Sequence, residues 1–100
     1  MAVSSVKLQQ TAEVLRRMGA ICVVVFGSAA ESPQTAVEAD FAVEGISRDR
    51  VVEAVAAANK ILGVHIALFT CDENPALYKL VVRFGRVLYQ KPRPAAPHPF

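Results

Sequence analysis

Val23-Val-Val-Phe-Gly-Ser28, then nine residues, then Glu38-Ala-Asp-Phe-Ala-Val43 is the stretch on which the fold turns. Ile21 to Phe26 is a dense β-branched run, which reads as a buried strand. It breaks at Gly27-Ser28, and a strand ending in Gly-Ser offers backbone N–H groups and a hydroxyl where a phosphate would sit. Asp40 to Glu44 then alternates, with Phe41 and Val43 on one side and Asp40, Ala42 and Glu44 on the other. That period of two marks a strand with one buried face. Glu38 and Asp40 stand at i and i+2, so on an extended chain their carboxylates leave the same face, as a shared divalent cation requires. A cation held there and bridging triphosphate oxygens would stabilise developing negative charge.

Upstream, Ser4 and Ser5 cap a helix whose apolar side is Leu8, Ala12, Leu15 and Met18, with Gly19 as its stop. Ala29 to Ala39 reads as a turn followed by an irregular or briefly helical segment. Downstream, Ser47 caps a helix with the apolar stripe Val51, Val55, Ala58 and Leu62, ended by Gly63. Val64 to Thr70 is a third strand, with Val64, Ile66 and Leu68 on one face and His65, Ala67 and Phe69 on the other. Asp72 or Asn74, followed by Pro75, opens a last helix with Leu77, Leu80, Val81 and Phe84 inside and Gly85 at its end. Arg86 to Gln90 adds a short edge strand. The order predicts an α/β (α+β) domain over residues 1–90: a small mixed sheet of three or four strands with helices packed on one face. Residues 91–100 hold four prolines and read as a flexible tail.

The chain has 100 residues, of which 53% are hydrophobic, so one core and one domain are expected. A domain this small gains from a homodimer or a partner that covers apolar surface. The formal charge is only +2 and the basic residues are scattered, which gives no nucleic-acid footprint. No apolar run is long enough to span a bilayer, and the N-terminus lacks the order of a signal peptide. Cys22 and Cys71 form no CxxC pair; a reduced, cytoplasmic chain is the expectation. Cys22 reads as core, and Tyr78 and Tyr89 as packing aromatics.

With Gly27-Ser28 leading to Glu38-Ala-Asp40 at this spacing, the sequence resembles the minimal nucleotidyltransferases (MNT), which have the polymerase-beta-type fold. The resemblance covers nearly all of residues 5–90, including Gly85-Arg-Val-Leu-Tyr89 near its end. It implies that Gly27 and Ser28 grip nucleotide phosphate and that Asp40 is the second carboxylate of an acidic pair. Glu38 stands where the family has an aspartate; the extra methylene moves an oxygen by about an ångström. The family's third carboxylate falls at His65, whose neutral imidazole is a ligand for zinc or manganese but a poor one for magnesium, and which as general base would need no carboxylate. A glycine and a basic residue usual after Gly-Ser are replaced by Ala29, Ala30, Glu31 and Ser32.

Two functions follow as expectations. In the first, Mg2+ (Mn2+ as the alternative) and ATP or another nucleoside triphosphate bind at Glu38, Asp40, Gly27 and Ser28. A nucleoside monophosphate then passes to a hydroxyl on a partner protein, with His65 assisting. By resemblance the partner is of the HEPN type and the chain is its antitoxin. In the second, the altered acidic set has lost its chemistry and the domain acts by protein contact alone. Chance coincidence of the motifs would scatter Ser28, Asp40 and His65 across the structure.

Overall fold

The computed structural model describes residues 4–92. The chain begins with α1 (Ser5–Arg17), capped by Ser4, whose side chain accepts from the Lys7 N–H at 3.1 Å. Leu8, Ala12 and Leu15 are buried as the periodicity requires, together with Thr11, whose hydroxyl donates to the Lys7 carbonyl. There follow β1 (Cys22–Phe26), the single turn α2 (Ser28–Glu31), β2 (Glu38–Glu44), a 3-10 turn at Arg48–Arg50, α3 (Val51–Leu62), β3 (His65–Thr70), α4 (Pro75–Phe84) and β4 (Arg86–Gln90). The tail expected from Lys91 onward falls mostly outside the described residues. Lys91 itself still donates its backbone N–H to the Ile21 carbonyl at 2.8 Å.

One four-stranded sheet runs in the order β3-β2-β1-β4. β1 pairs antiparallel with both β2 and β4, and β2 pairs parallel with β3. A parallel pair needs a crossover connection, and α3 supplies it. The sheet is therefore mixed, and β4 is an edge strand as its sequence suggested.

α1 and α3 lie on one face over a cluster that includes Leu8, Leu15, Val23, Val25, Phe41, Val43, Leu62 and Ile66. α3 seats through Ala54, Ala58 and Leu62, while Val51 and Val55 stay half-buried. The stripe is thus rotated slightly from the expected one, because Ala54 lets the helix come closer than valine would. α4 departs from the expectation that the helices share one face. It packs on the opposite side, over Cys22, Val24 and Ala42, with Phe26, Phe69, Tyr78 and Val82 around its only buried residue, Val81.

Of the expected inward residues of α4, only Val81 is inside; Leu77, Leu80 and Phe84 are 38%, 53% and 73% exposed. The helix carries two apolar stripes, Tyr78-Val81-Val82 and Leu77-Leu80-Phe84, and period alone cannot choose between them. Tyr78 decides the matter, because its hydroxyl finds the Glu44 carboxylate at 3.2 Å. Ala42 is buried for the same reason, so β2 has two covered faces rather than one.

Candidate functional site

Register places the chemistry-bearing residues. Phe26 is the partner of Asp40 across β1 and β2, so Gly27 emerges directly beside that carboxylate. On the other side, Glu38 pairs with His65 and Asp40 with Ala67. Paired residues on neighbouring strands share a face, so Glu38, Asp40 and His65 stand together on the α4 side of the sheet. α4 covers only the half of that face around Ala42. Glu38 and His65 remain exposed and Asp40 half-buried, which leaves the acidic end open. Phe26 and Phe69 meet edge to face, centroids 5.9 Å apart, and form an apolar ridge between the open end and the α4 cluster.

Gly27 is required twice over. Its φ of 70° and ψ of −148° lie in a region open in practice to glycine alone. A Cβ at this position would also stand 2.7 Å from Asp40 Oδ2. The backbone then turns at once into α2, whose Ala30 and Glu31 N–H groups both donate to the Gly27 carbonyl at 3.1 Å. The N–H groups of Ser28 and Ala29 open that turn with no carbonyl behind them in the helix. Gly27→Ala is expected to cost about 1–3 kcal/mol of stability and to push the Asp40 carboxylate aside. Thermal unfolding together with Mg-ATP titration checks this; an unchanged melting temperature would contradict it.

Burial pushes the Asp40 carboxyl above its ordinary range, and the neighbouring Glu38 charge adds to the effect, while His65 offsets part of it. A carboxylate pair that raises its own proton affinity in this way is relieved when a divalent cation sits between its members. Mg2+ is commonly held by one or two carboxylates plus substrate phosphates and water. The Glu38–Asp40 pair therefore fits a magnesium ion delivered on a nucleotide. Among the described residues no three His, Cys, Asp or Glu side chains are arranged to hold a metal by themselves. His65 is thus placed beside Glu38 without completing a metal cage.

Cys22 is buried and Cys71 half-buried, both as free thiols. Burial, then the Glu44 and Asp72 carboxylates, pushes the Cys71 thiol up, away from nucleophilic reactivity. No helix among the described residues is long and apolar enough to cross a membrane.

Sequence reasoning missed the contribution of α4. A cavity of about 260 Å³ lies between α2 and α4, lined by Phe26, Gly27, Ala30 and Glu31 on one side and Leu80, Val81, Phe84 and Gly85 on the other. Arg83, a cation from the same helix, rests with Cζ 5.5 Å from the centroid of the Phe84 ring. No spacing along the chain announces that α4 and Gly27 would line one cavity, because the two segments lie some fifty residues apart.

No protein-family model matches the chain, and no curated protein does. A solved structure described as that of a "putative minimal nucleotidyltransferase" superposes with a TM-score of 0.69 at 22% identity, covering 85% of this chain and 94% of that one. At that identity the likeness speaks for the fold alone. The chain has the minimal nucleotidyltransferase fold.

Proposed function

We propose that this domain binds a magnesium–nucleoside triphosphate at Gly27, Ser28, Glu38 and Asp40 and transfers the nucleoside monophosphate to a hydroxyl of a partner protein. The observation that carries this reading is the close approach of Gly27 to Asp40, where a Cβ on Gly27 would stand 2.7 Å from Oδ2, so the Gly27-Ser28 turn lies beside the acidic strand. The acceptor oxygen would bond to the α-phosphorus while the α–β bridging P–O bond breaks and pyrophosphate leaves. The acceptor's proton would pass to a base, and His65, exposed and paired in register with Glu38, would take it. The magnesium would neutralise charge on the phosphate oxygens. Backbone and hydroxyl at Gly27-Ser28 would orient the phosphate, and the apolar ridge of Phe26 and Phe69 would keep water from one side of Asp40.

A protein acceptor suits the open side of the site. Glu38 and His65 face solvent, and Val37, next to Glu38, is 75% exposed, an apolar contact at the rim. By resemblance, a HEPN-type protein is the partner proposed, with this chain as its antitoxin. The test is incubation of the complex with ATP labelled at the α-phosphate and Mg2+, followed by intact-mass measurement of the partner. A gain of one nucleoside monophosphate, absent from Asp40→Ala, is expected. A partner that stays unlabelled, with no heat on titrating Mg-ATP into the domain, would refute transfer.

The contact-only reading has its own support in Glu38, Ser32 and His65, the positions that depart from the family pattern. It predicts that Asp40→Ala neutralises the partner as well as the wild type does.

A further inference from the structure

We infer that the cavity between α2 and α4 is the nucleobase site, and that it favours bases carrying an exocyclic amine; the inference rests on the nucleotide reading above. Gly27 belongs to both places. It lies beside the Asp40 carboxylate, so close that a Cβ would meet Oδ2 at 2.7 Å, and it lines the cavity, so a nucleotide whose phosphates lie at Gly27-Ser28 has this cavity next to it. The walls are mostly apolar, from Phe26, Ala30, Leu80, Val81 and Phe84. At about 260 Å³ the space falls just below the range of roughly 300–1,000 Å³ that holds a drug-sized ligand, which suits a base alone.

Two further features point to a flat, amine-bearing ring. Phe84 is 73% exposed, an unusual state for a phenylalanine, and its ring already engages the planar guanidinium of Arg83. A ring that accepts one flat partner is a platform for another. Among the described residues, Glu31 is the only acidic one lining the cavity. Its carboxylate is unfavourable beside a triphosphate, yet it accepts a hydrogen bond from the exocyclic amine of adenine, cytosine or guanine, whereas uracil offers only a ring N–H flanked by two carbonyl oxygens that repel it. The residue that weakened the phosphate site thus gains a role as a base selector.

The experiment is calorimetric titration of the full chain with ATP, UTP and inorganic tripolyphosphate, each with Mg2+. Wild type, Phe84→Ala and Glu31→Gln are compared; both residues are exposed, so the variants keep the fold. ATP is expected to bind about 10-fold more tightly than tripolyphosphate, the scale of one base on an aromatic platform. Phe84→Ala should bring ATP down to the tripolyphosphate level without changing tripolyphosphate itself. Glu31→Gln should narrow the gap between ATP and UTP. Tripolyphosphate bound as tightly as ATP, UTP bound as tightly as ATP, or Phe84→Ala with wild-type ATP affinity would overturn the base site while leaving the phosphate site standing. If neither ATP nor tripolyphosphate binds, the nucleotide reading itself fails and the base site with it.

Discussion

Asp40→Asn is expected to melt at a higher temperature than the wild type at pH 7 and to lose Mg-ATP binding and transfer. The two effects have one cause. Burial beside the Phe26–Phe69 ridge and the charge of Glu38 raise the folded-state pKa of Asp40 above its unfolded value near 3.8. A carboxyl raised in this way costs stability when ionised. The cost is fully present above the folded-state pKa and vanishes below the unfolded one. Asparagine has the same shape without the charge, so its advantage is largest at neutral pH and closes as pH falls toward 3.8. The same substitution removes half of the acidic pair that fits magnesium. Transfer should fall by about 100-fold or more, the scale on which removal of one charge-stabilising group acts. Melting curves at several pH values, paired with nucleotide titration, check both halves. A variant that melts lower than wild type at pH 7 would contradict the electrostatic account, and one that keeps transfer would remove Asp40 from the site.

Gly45→Ala should be the most destabilising single methyl in the domain. Gly45 follows β2 with φ of 102°, where an L side chain is strained. Its Cβ would stand 2.5 Å from the Gly19 carbonyl oxygen and 3.0 Å from the Ile21 nitrogen. Both obstacles are backbone, and the neighbouring Ile21 N–H is already committed to the Glu44 carbonyl at 2.7 Å, so neither can swing away as a side chain would. Strain and overpacking together cost roughly 2–4 kcal/mol. A small domain has only about 5–15 kcal/mol in total, so the melting temperature should drop by more than about 10 °C. Chemical denaturation measures the loss, and a change under 1 kcal/mol would show that the two loops separate more easily than the structure indicates.

The local shape of the candidate site was legible in the sequence. Gly27-Ser28 and Glu38-x-Asp40 are local signals: a strand stop and a period of two act over a few residues, and the structure keeps them at the places their spacing indicated. The stripe of α1 was equally readable, because Leu8, Ala12 and Leu15 are its dominant apolar positions and all three are buried. α4 was misread because leucine, valine, tyrosine and phenylalanine surround most of its circumference. Its seat depended on Tyr78 reaching Glu44, thirty-four residues away. The role of Glu31 was hidden for a similar reason, since only the approach of α4 gives that carboxylate a cavity to line.

The order of helices and strands, the turn at Gly27-Ser28 and the acidic face of β2 come from periodicity and from single-residue backbone chemistry, forces that act between near neighbours in the chain. Packing of distant segments decided the rest. It set α4 across half of the second sheet face and left the other half open. It also pressed Gly27 against Asp40 and raised that carboxyl by burial. Those outcomes depend on which surfaces meet and how much water they exclude, and no short stretch of residues carries that information.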